Sequence, residues 1–254
     1  MRRKDSMQIG ILGVGNIGAI LTRRLSAAGH DVKAANSRGP ETIPADVLSS
    51  GGRAVHARDV VTDVDALIVA VPLHRIPAVK PLVDDLPGGA IVLDTSNYYP
   101  QWNGRIAALD DGQAESLWVA KQLGRPVVKA WNTITSGSFA AHNTPAGSPD
   151  RIAIPVAADE GTDRALGMSL VEDTGLDAVD AGTLAESWRQ EPGAPCYVTD
   201  LTQQELPGAL AAADATRSPK RRDLVMTVIH ELMGDPTAEL SPDFLVRLSR
   251  LLYR

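Results

Sequence analysis

Gln8-Ile9-Gly10-Ile11-Leu12-Gly13-Val14-Gly15-Asn16-Ile17-Gly18 carries most of what can be read from this chain. Its first five residues read as a short buried strand. Three glycines follow at G-x-G-x-x-G spacing. Ile17, Ile20, Leu21, Leu25 and Ala28 then recur at helical spacing until Gly29 stops the helix. In that setting each glycine has its own task. Gly13 permits a tight turn, Gly15 lets the backbone come close to a pyrophosphate, and Gly18 lets helix and strand pack closely. The free N–H groups of the first helical turn, around Asn16 and Ile17, then face an anion. The stretch predicts a dinucleotide site at the head of an α/β region.

Working outward, residues 31–35, 53–55, 65–71, 90–93, 127–130, 152–156 and 177–179 read as further strands. Residues 40–50, 76–86, 114–123 and 161–174 read as helices between them. Apolar runs in place of period-two alternation indicate a parallel sheet covered on both faces. The expected fold class is thus α/β, a doubly wound, mostly parallel Rossmann sheet with a small C-terminal helical region. The expected division is 7–183 for the dinucleotide-binding Rossmann domain and 184–254 for a helical subdomain. That second part contains helices at 202–214, 219–233 and 241–253. Leu224, Val225, Val228, Ile229 and Met233 share one apolar face there, which suits a homodimer arm or a wall of the substrate site.

The end of the second strand bears on which dinucleotide binds. Sites for the unphosphorylated form place an acidic residue about 20 residues beyond the glycines to hold the ribose hydroxyls. Here the chain reads Ala35-Asn36-Ser37-Arg38-Gly39, with no carboxylate. Ser37 can donate a hydrogen bond to a 2′-phosphate, and Arg38 can pair with it and stack on adenine. The expected cofactor is therefore NADP(H), with Asn36 in the same loop.

In open α/β sheets the ligand lies outside the carboxyl ends of the strands. Val71 and Pro72 would pack on the ribose-nicotinamide half, and Ser96 and Asn97 would offer neutral hydrogen bonds. His74, Asn132 and Thr133 would lie near the nicotinamide or the second substrate. Residues 8–39, Ala70-Val71-Pro72, Asp94-Thr95-Ser96-Asn97 and Lys129-Ala130-Trp131-Asn132-Thr133 resemble the coenzyme F420-dependent NADP oxidoreductase family. Asp180-Ala181-Gly182 and residues 187–191 are weaker matches. The resemblance implies that NADP(H) occupies the Rossmann site, that the deazaflavin F420 lies over the nicotinamide, and that hydride passes directly between the rings. Related domains pass it to a flavin, FMN or FAD. The tail beyond Ser187-Trp188-Arg189-Gln190-Glu191 departs from the short F420 reductases.

Other chemistries find less support. The five histidines do not pair at metal-ligand spacing, and there is no G-x-S-x-G elbow. No catalytic acid or base stands out. Lys121 and Lys129 could act as acids on a carbonyl or imine, but lone lysines are usually solvated. Ring-to-ring hydride transfer needs little from side chains beyond positioning. Two alternatives stay open: a non-catalytic NADP(H)-binding redox-sensing or interaction protein, and an NADP-dependent dehydrogenase of a small carbonyl or imine compound. The net charge of −6 argues against a nucleic-acid surface, and no apolar run reaches the length of a signal-peptide core or membrane span. Residues 1–6 read as a frayed leader or expression remnant. A single cysteine, Cys196, rules out an internal disulfide and fits a cytoplasmic setting.

Overall fold

The structure is a computed structural model that describes residues 6–234 and 240–253. In chain order the elements are β1 (Gln8–Leu12), α1 (Asn16–Ala27), β2 (Asp31–Ala35), β3 (Arg53–Ala54), β4 (Ala66–Val69), α2 (Ile76–Asp84) and β5 (Ile91–Asp94). Two single turns, α3 (Pro100–Asn103) and α4 (Ala107–Asp110), lead to α5 (Glu115–Leu123), β6 (Val128–Lys129) and α6 (Ser136–Ala141). Then come β7 (Ala153–Val156), α7 (Gly161–Asp173), β8 (Asp177–Asp180), α8 (Leu206–Ala211), α9 (Ser218–Met233) and α10 (Pro242–Leu252).

Six strands form one parallel sheet in the order β3-β2-β1-β4-β5-β6. This is the order of the doubly wound dinucleotide-binding fold, with its crevice where the chain reverses direction across the sheet between β1 and β4. β1 and β4 are buried almost throughout because helices cover both faces. One core joins Ile9, Ile11, Leu21 and Leu25 to Phe139, Ile154 and Leu170; the other joins Leu67, Val69, Val83 and Val92 to Trp118 and Val119.

Two expectations need correction. Residues 152–156 and 177–179 do not extend the main sheet. They form a separate parallel pair, β7-β8, with an antiparallel bridge between Lys129 of β6 and Ala157. An apolar run signals a buried strand but says nothing about its direction or partner. Residues 40–50 form no α-helix. They make two 3₁₀ turns, Pro40–Thr42 and Ala45–Leu48, because Pro44 forces Ile43 into an extended conformation (φ −84°, ψ 120°).

The C-terminal region is helical but not separate in its packing. Leu184 sits in the second core, and Ala153 of β7 packs with Ala194, Cys196, Leu206 and Leu210. Tyr197, Val225 of α9 and Tyr253 cluster with Tyr99, just beyond β5. Among the described residues no helix is long and apolar enough to cross a membrane.

Candidate active site

β1 ends at Gly13, whose φ of +103° is open only to glycine at low cost, and whose N–H donates to Ala35 O at 2.8 Å. A Cβ on Gly13 would lie 2.3 Å from Ala70 O, and one on Gly18 would lie 1.9 Å from Gly13 O. Those two glycines are required by the protein's own packing. Gly15 is different. Its φ is −85°, which any residue adopts, and a Cβ there would meet nothing within 4 Å. Gly15 and Asn16 are exposed, while Ile17 is half-buried against the core. No side chain caps the N-terminus of α1, so its first N–H groups remain available to an anion.

At the end of β2, Ser37 and Arg38 are exposed, and Arg38 has no ion-pair partner among the described residues. Asn36 is occupied within the loop. Its Oδ1 accepts the Arg38 N–H at 2.9 Å and its Nδ2 donates to Thr42 Oγ1 at 2.8 Å. Asn36 therefore shapes the loop that presents the other two. The same depression is lined by His56, Arg58 and Asp59 from the segment after β3. The sequence reading missed Arg58. The signal was available, because β3 is the outer neighbour of β2 and their carboxyl ends must lie side by side.

A cavity of about 570 Å³ opens beside the glycine turn. Asn16, Pro72, His74 and Asn97 line its sheet side; Tyr99, Trp102, Tyr197, Val225, Ile229 and Tyr253 are among its other walls. Among the described residues the lining contains no carboxylate, lysine or arginine. His74 is exposed, with Nδ1 3.2 Å from Asn103 Nδ2. Val71 is half-buried and packs inward, leaving Pro72 to face the cavity. The tail, expected as one of two possibilities to wall the substrate site, supplies Tyr197, Val225, Met226, Ile229, Leu245 and Tyr253 to the lining.

Asn132 and Thr133 are not brought to this cavity, which corrects their expected place near the substrate. They are 2% and 4% exposed. Asn132 Nδ2 donates to Asn97 Oδ1 (3.1 Å) and Gln190 O (2.8 Å), and Gln190 Nε2 donates to Asn132 Oδ1 (2.9 Å). Asn97 Nδ2 in turn donates to Asn132 O at 2.9 Å. The line Gln190–Asn132–Asn97 thus fixes the one amide of the three that reaches the cavity. Thr133 O accepts the Val198 N–H at 2.8 Å, holding Val198 at a φ of 53° that a β-branched residue rarely takes.

Lys129 is no surface charge either. Its side chain and that of Asp94 are both fully buried, 2.7 Å apart, and Lys129 Nζ also donates to Ser96 O. Asp94 Oδ1 accepts the Ser96 N–H at 3.0 Å. The pair pins the segment leading to Asn97. Behind it, Glu191 Oε1 accepts the Glu115 N–H at 2.7 Å, and Glu115 Oε2 has no partner. Burial, then the neighbouring Glu191 charge, pushes the Glu115 carboxyl well up; burial likewise raises Glu191.

The profile of the family described as NADP oxidoreductase, coenzyme F420-dependent, matches residues 8–98. Over 99 residues the chain is 48% identical to the protein YjhV of Escherichia coli (strain K12), covering 39% of this chain and 72% of that one. This chain belongs to the F420-dependent NADP oxidoreductase family. Two solved structures extend the likeness beyond the glycine turn. The protein SMa0349 from Sinorhizobium meliloti superposes with a TM-score of 0.65 at 29% identity, over 78% of this chain and 96% of its own. A protein provisionally named an F420-dependent NADP-reductase, from Arthrobacter sp. FB24, shares the fold at a TM-score of 0.57 and 19% identity, over 72% and 87%. As a member of this NADP-dependent oxidoreductase family, the chain takes NADP(H) as its dinucleotide. The bare Gly15 and the uncapped N-terminus of α1 fit a pyrophosphate, and the exposed Ser37 and Arg38, with Arg58 in the same depression, fit a 2′-phosphate.

Proposed function

We propose that this chain passes hydride between NADP(H) and a flat, uncharged ring, coenzyme F420 or a flavin, seated in the cavity between the glycine turn and the C-terminal helices. The observation that carries the reading is the cavity itself. It adjoins the dinucleotide turn through Asn16 and Pro72, is large enough for a fused ring, and has aromatic and aliphatic walls with no fixed charge. An oxo-acid substrate would want a cation for its carboxylate, and the described residues lining the cavity provide none. A featureless or blocked pocket, expected of a non-catalytic binder, does not match this opening.

In this reading Gly13, Gly15 and Gly18 shape the turn, and the N–H groups of Asn16 and Ile17 hold the pyrophosphate. Ser37 and Arg38 hold the 2′-phosphate with Arg58 beside them, while Asn36 sets their loop. Val71 stiffens the strand end, and Pro72 packs along the nicotinamide ribose. Asn97, braced by Asn132, offers its amide at the nicotinamide. Bound NADPH supplies the hydride; the chain's contribution is to hold two rings face to face and exclude water. The test is NADPH oxidation followed at 340 nm against F420, FMN, FAD, quinones and small carbonyls. Turnover with F420 or a flavin is expected. Turnover only with small carbonyls refutes the ring acceptor, and tight NADPH binding with no turnover refutes catalysis.

A further inference from the structure

Two tyrosines in the cavity wall are left with one hydrogen too many. The Tyr99 hydroxyl donates to Tyr197 Oη at 2.9 Å. Each hydroxyl can donate once, so whichever way that bond points, one O–H of the pair remains. No other acceptor takes it among the described residues. Both rings line the cavity. They come from distant parts of the chain, Tyr99 from the β5 end and Tyr197 from the tail, and each is held in place. Tyr99 packs on Trp102 with ring centroids 4.8 Å apart, and its own N–H donates to Asn103 Oδ1 at 2.7 Å. Tyr197 clusters with Val225 and Tyr253. At a cavity wall whose described residues carry no carboxylate, lysine or arginine, the pair keeps one neutral O–H to give.

We propose that Tyr197, backed by Tyr99, is a catalytic residue that donates a hydrogen bond to the oxygen or nitrogen of the acceptor on which the electron pair settles. The inference rests on the cavity being the acceptor site. Its chemistry balances simply. The hydride brings both electrons of the broken C–H bond to the electron-poor atom of the acceptor. The displaced π pair moves to a conjugated carbonyl oxygen or imine-type nitrogen, and the Tyr197 O–H meets the negative charge growing there. Tyr99, donating to Tyr197 Oη, stabilises the partial charge that Tyr197 gains in doing so. Burial raises both hydroxyls above the usual tyrosine range, Tyr99 well above it, so the pair stays protonated and able to donate through neutral and mildly alkaline pH. This supplies the hydrogen-bond donor that no sequence motif revealed, and it selects acceptors with a conjugated carbonyl or imine beside the hydride-accepting atom.

The test uses Tyr197→Phe, Tyr99→Phe and the double variant of the full chain, with F420 and riboflavin as acceptors. Three quantities are read: kcat from 340 nm turnover, the affinity of each oxidised ring without NADPH from quenching of the ring's fluorescence, and the NADPH affinity. Tyr197→Phe is expected to lower kcat about 100-fold, the effect of losing one donor at a developing charge. It should weaken ring binding by about 2–10-fold and leave NADPH affinity unchanged. Tyr99→Phe should lose less, and the double variant no more than Tyr197→Phe alone. Tyr99→Phe carries the test by itself if Tyr197→Phe does not fold. Wild-type kcat and ring affinity in Tyr197→Phe overturn this inference and leave the ring-acceptor reading standing. Loss of NADPH affinity alongside kcat overturns it too, by showing a structural role. A wild-type protein that neither binds nor reduces either ring overturns both readings.

Discussion

Adding one methyl group at Gly15 and at Gly18 should have opposite consequences. At Gly18 the new Cβ would stand 1.9 Å from Gly13 O, a backbone atom that cannot step aside without opening the turn. Forced overpacking of that kind costs about 1–3 kcal/mol. For a chain of this size each kcal/mol lowers Tm by roughly 2–4 °C, so Gly18→Ala should melt several degrees early. At Gly15 nothing lies within 4 Å, and the backbone already has a conformation open to alanine. Gly15→Ala should keep the wild-type Tm to within about 2 °C, since surface changes stay within about 0.5 kcal/mol. Its methyl group points into the space assigned to the pyrophosphate. Losing one or two charge-assisted hydrogen bonds there, at about 1.5–3 kcal/mol, weakens NADPH binding by about 10–100-fold. The assay pairs thermal melts followed by circular dichroism with NADPH titration by fluorescence. A Gly15→Ala variant that binds NADPH as wild type does, or that unfolds as Gly18→Ala does, refutes the assignment of that opening to the pyrophosphate.

Three further outcomes are expected. Arg38→Ala should weaken NADPH binding by about 10–100-fold while leaving NADH binding nearly unchanged, and Arg58→Ala should show a smaller loss of the same selectivity; equal losses for both nucleotides in titration contradict the 2′-phosphate assignment. Asp94→Asn removes the carboxylate that is ion-paired to the buried Lys129, which costs about 3–5 kcal/mol and should lower Tm by roughly 6–20 °C; the double variant Asp94→Leu/Lys129→Met should recover much of that loss in the same melts. Burial, then the Glu191 charge, pushes the Glu115 carboxyl well above the ordinary carboxylate range, so its contribution to stability is present below that range and is lost as pH rises toward its raised folded value. Glu115→Gln should therefore melt like wild type at pH 4 and higher than wild type at pH 8, and a gain of the same size at both pH values contradicts the raised carboxyl.

The glycine turn and the parallel sheet were legible because both follow from local rules. Gly13 and Gly18 answer to steric contacts with the residues next to them in the fold, and a six-stranded parallel sheet needs the continuous apolar runs that the chain shows. What stayed hidden depends on long-range partners. Lys129 stands inside the apolar run 127–130, which was the one hint that its charge is buried, but only the neighbouring strand reveals Asp94. Asn132 looked like a substrate residue because it follows a strand end; Gln190, some 58 residues on, takes its amide instead. The pairing direction of β7 and the cavity wall built by Tyr197, Val225 and Tyr253 are likewise set by tertiary contacts that no local pattern encodes. Pro44 was the opposite case, a local signal that breaks the turn region and that the helical reading of 40–50 overlooked.

Everything proposed for the cavity comes down to direct hydride transfer to a ring held against the nicotinamide. NADPH deuterated at the transferring face of C4 tests it in one experiment, with oxidised F420 as acceptor and mass spectrometry of the reduced product. The account predicts reduced F420 carrying one deuterium on its ring carbon with none lost to water. Unlabelled reduced F420, or no reduction of either F420 or a flavin, contradicts it.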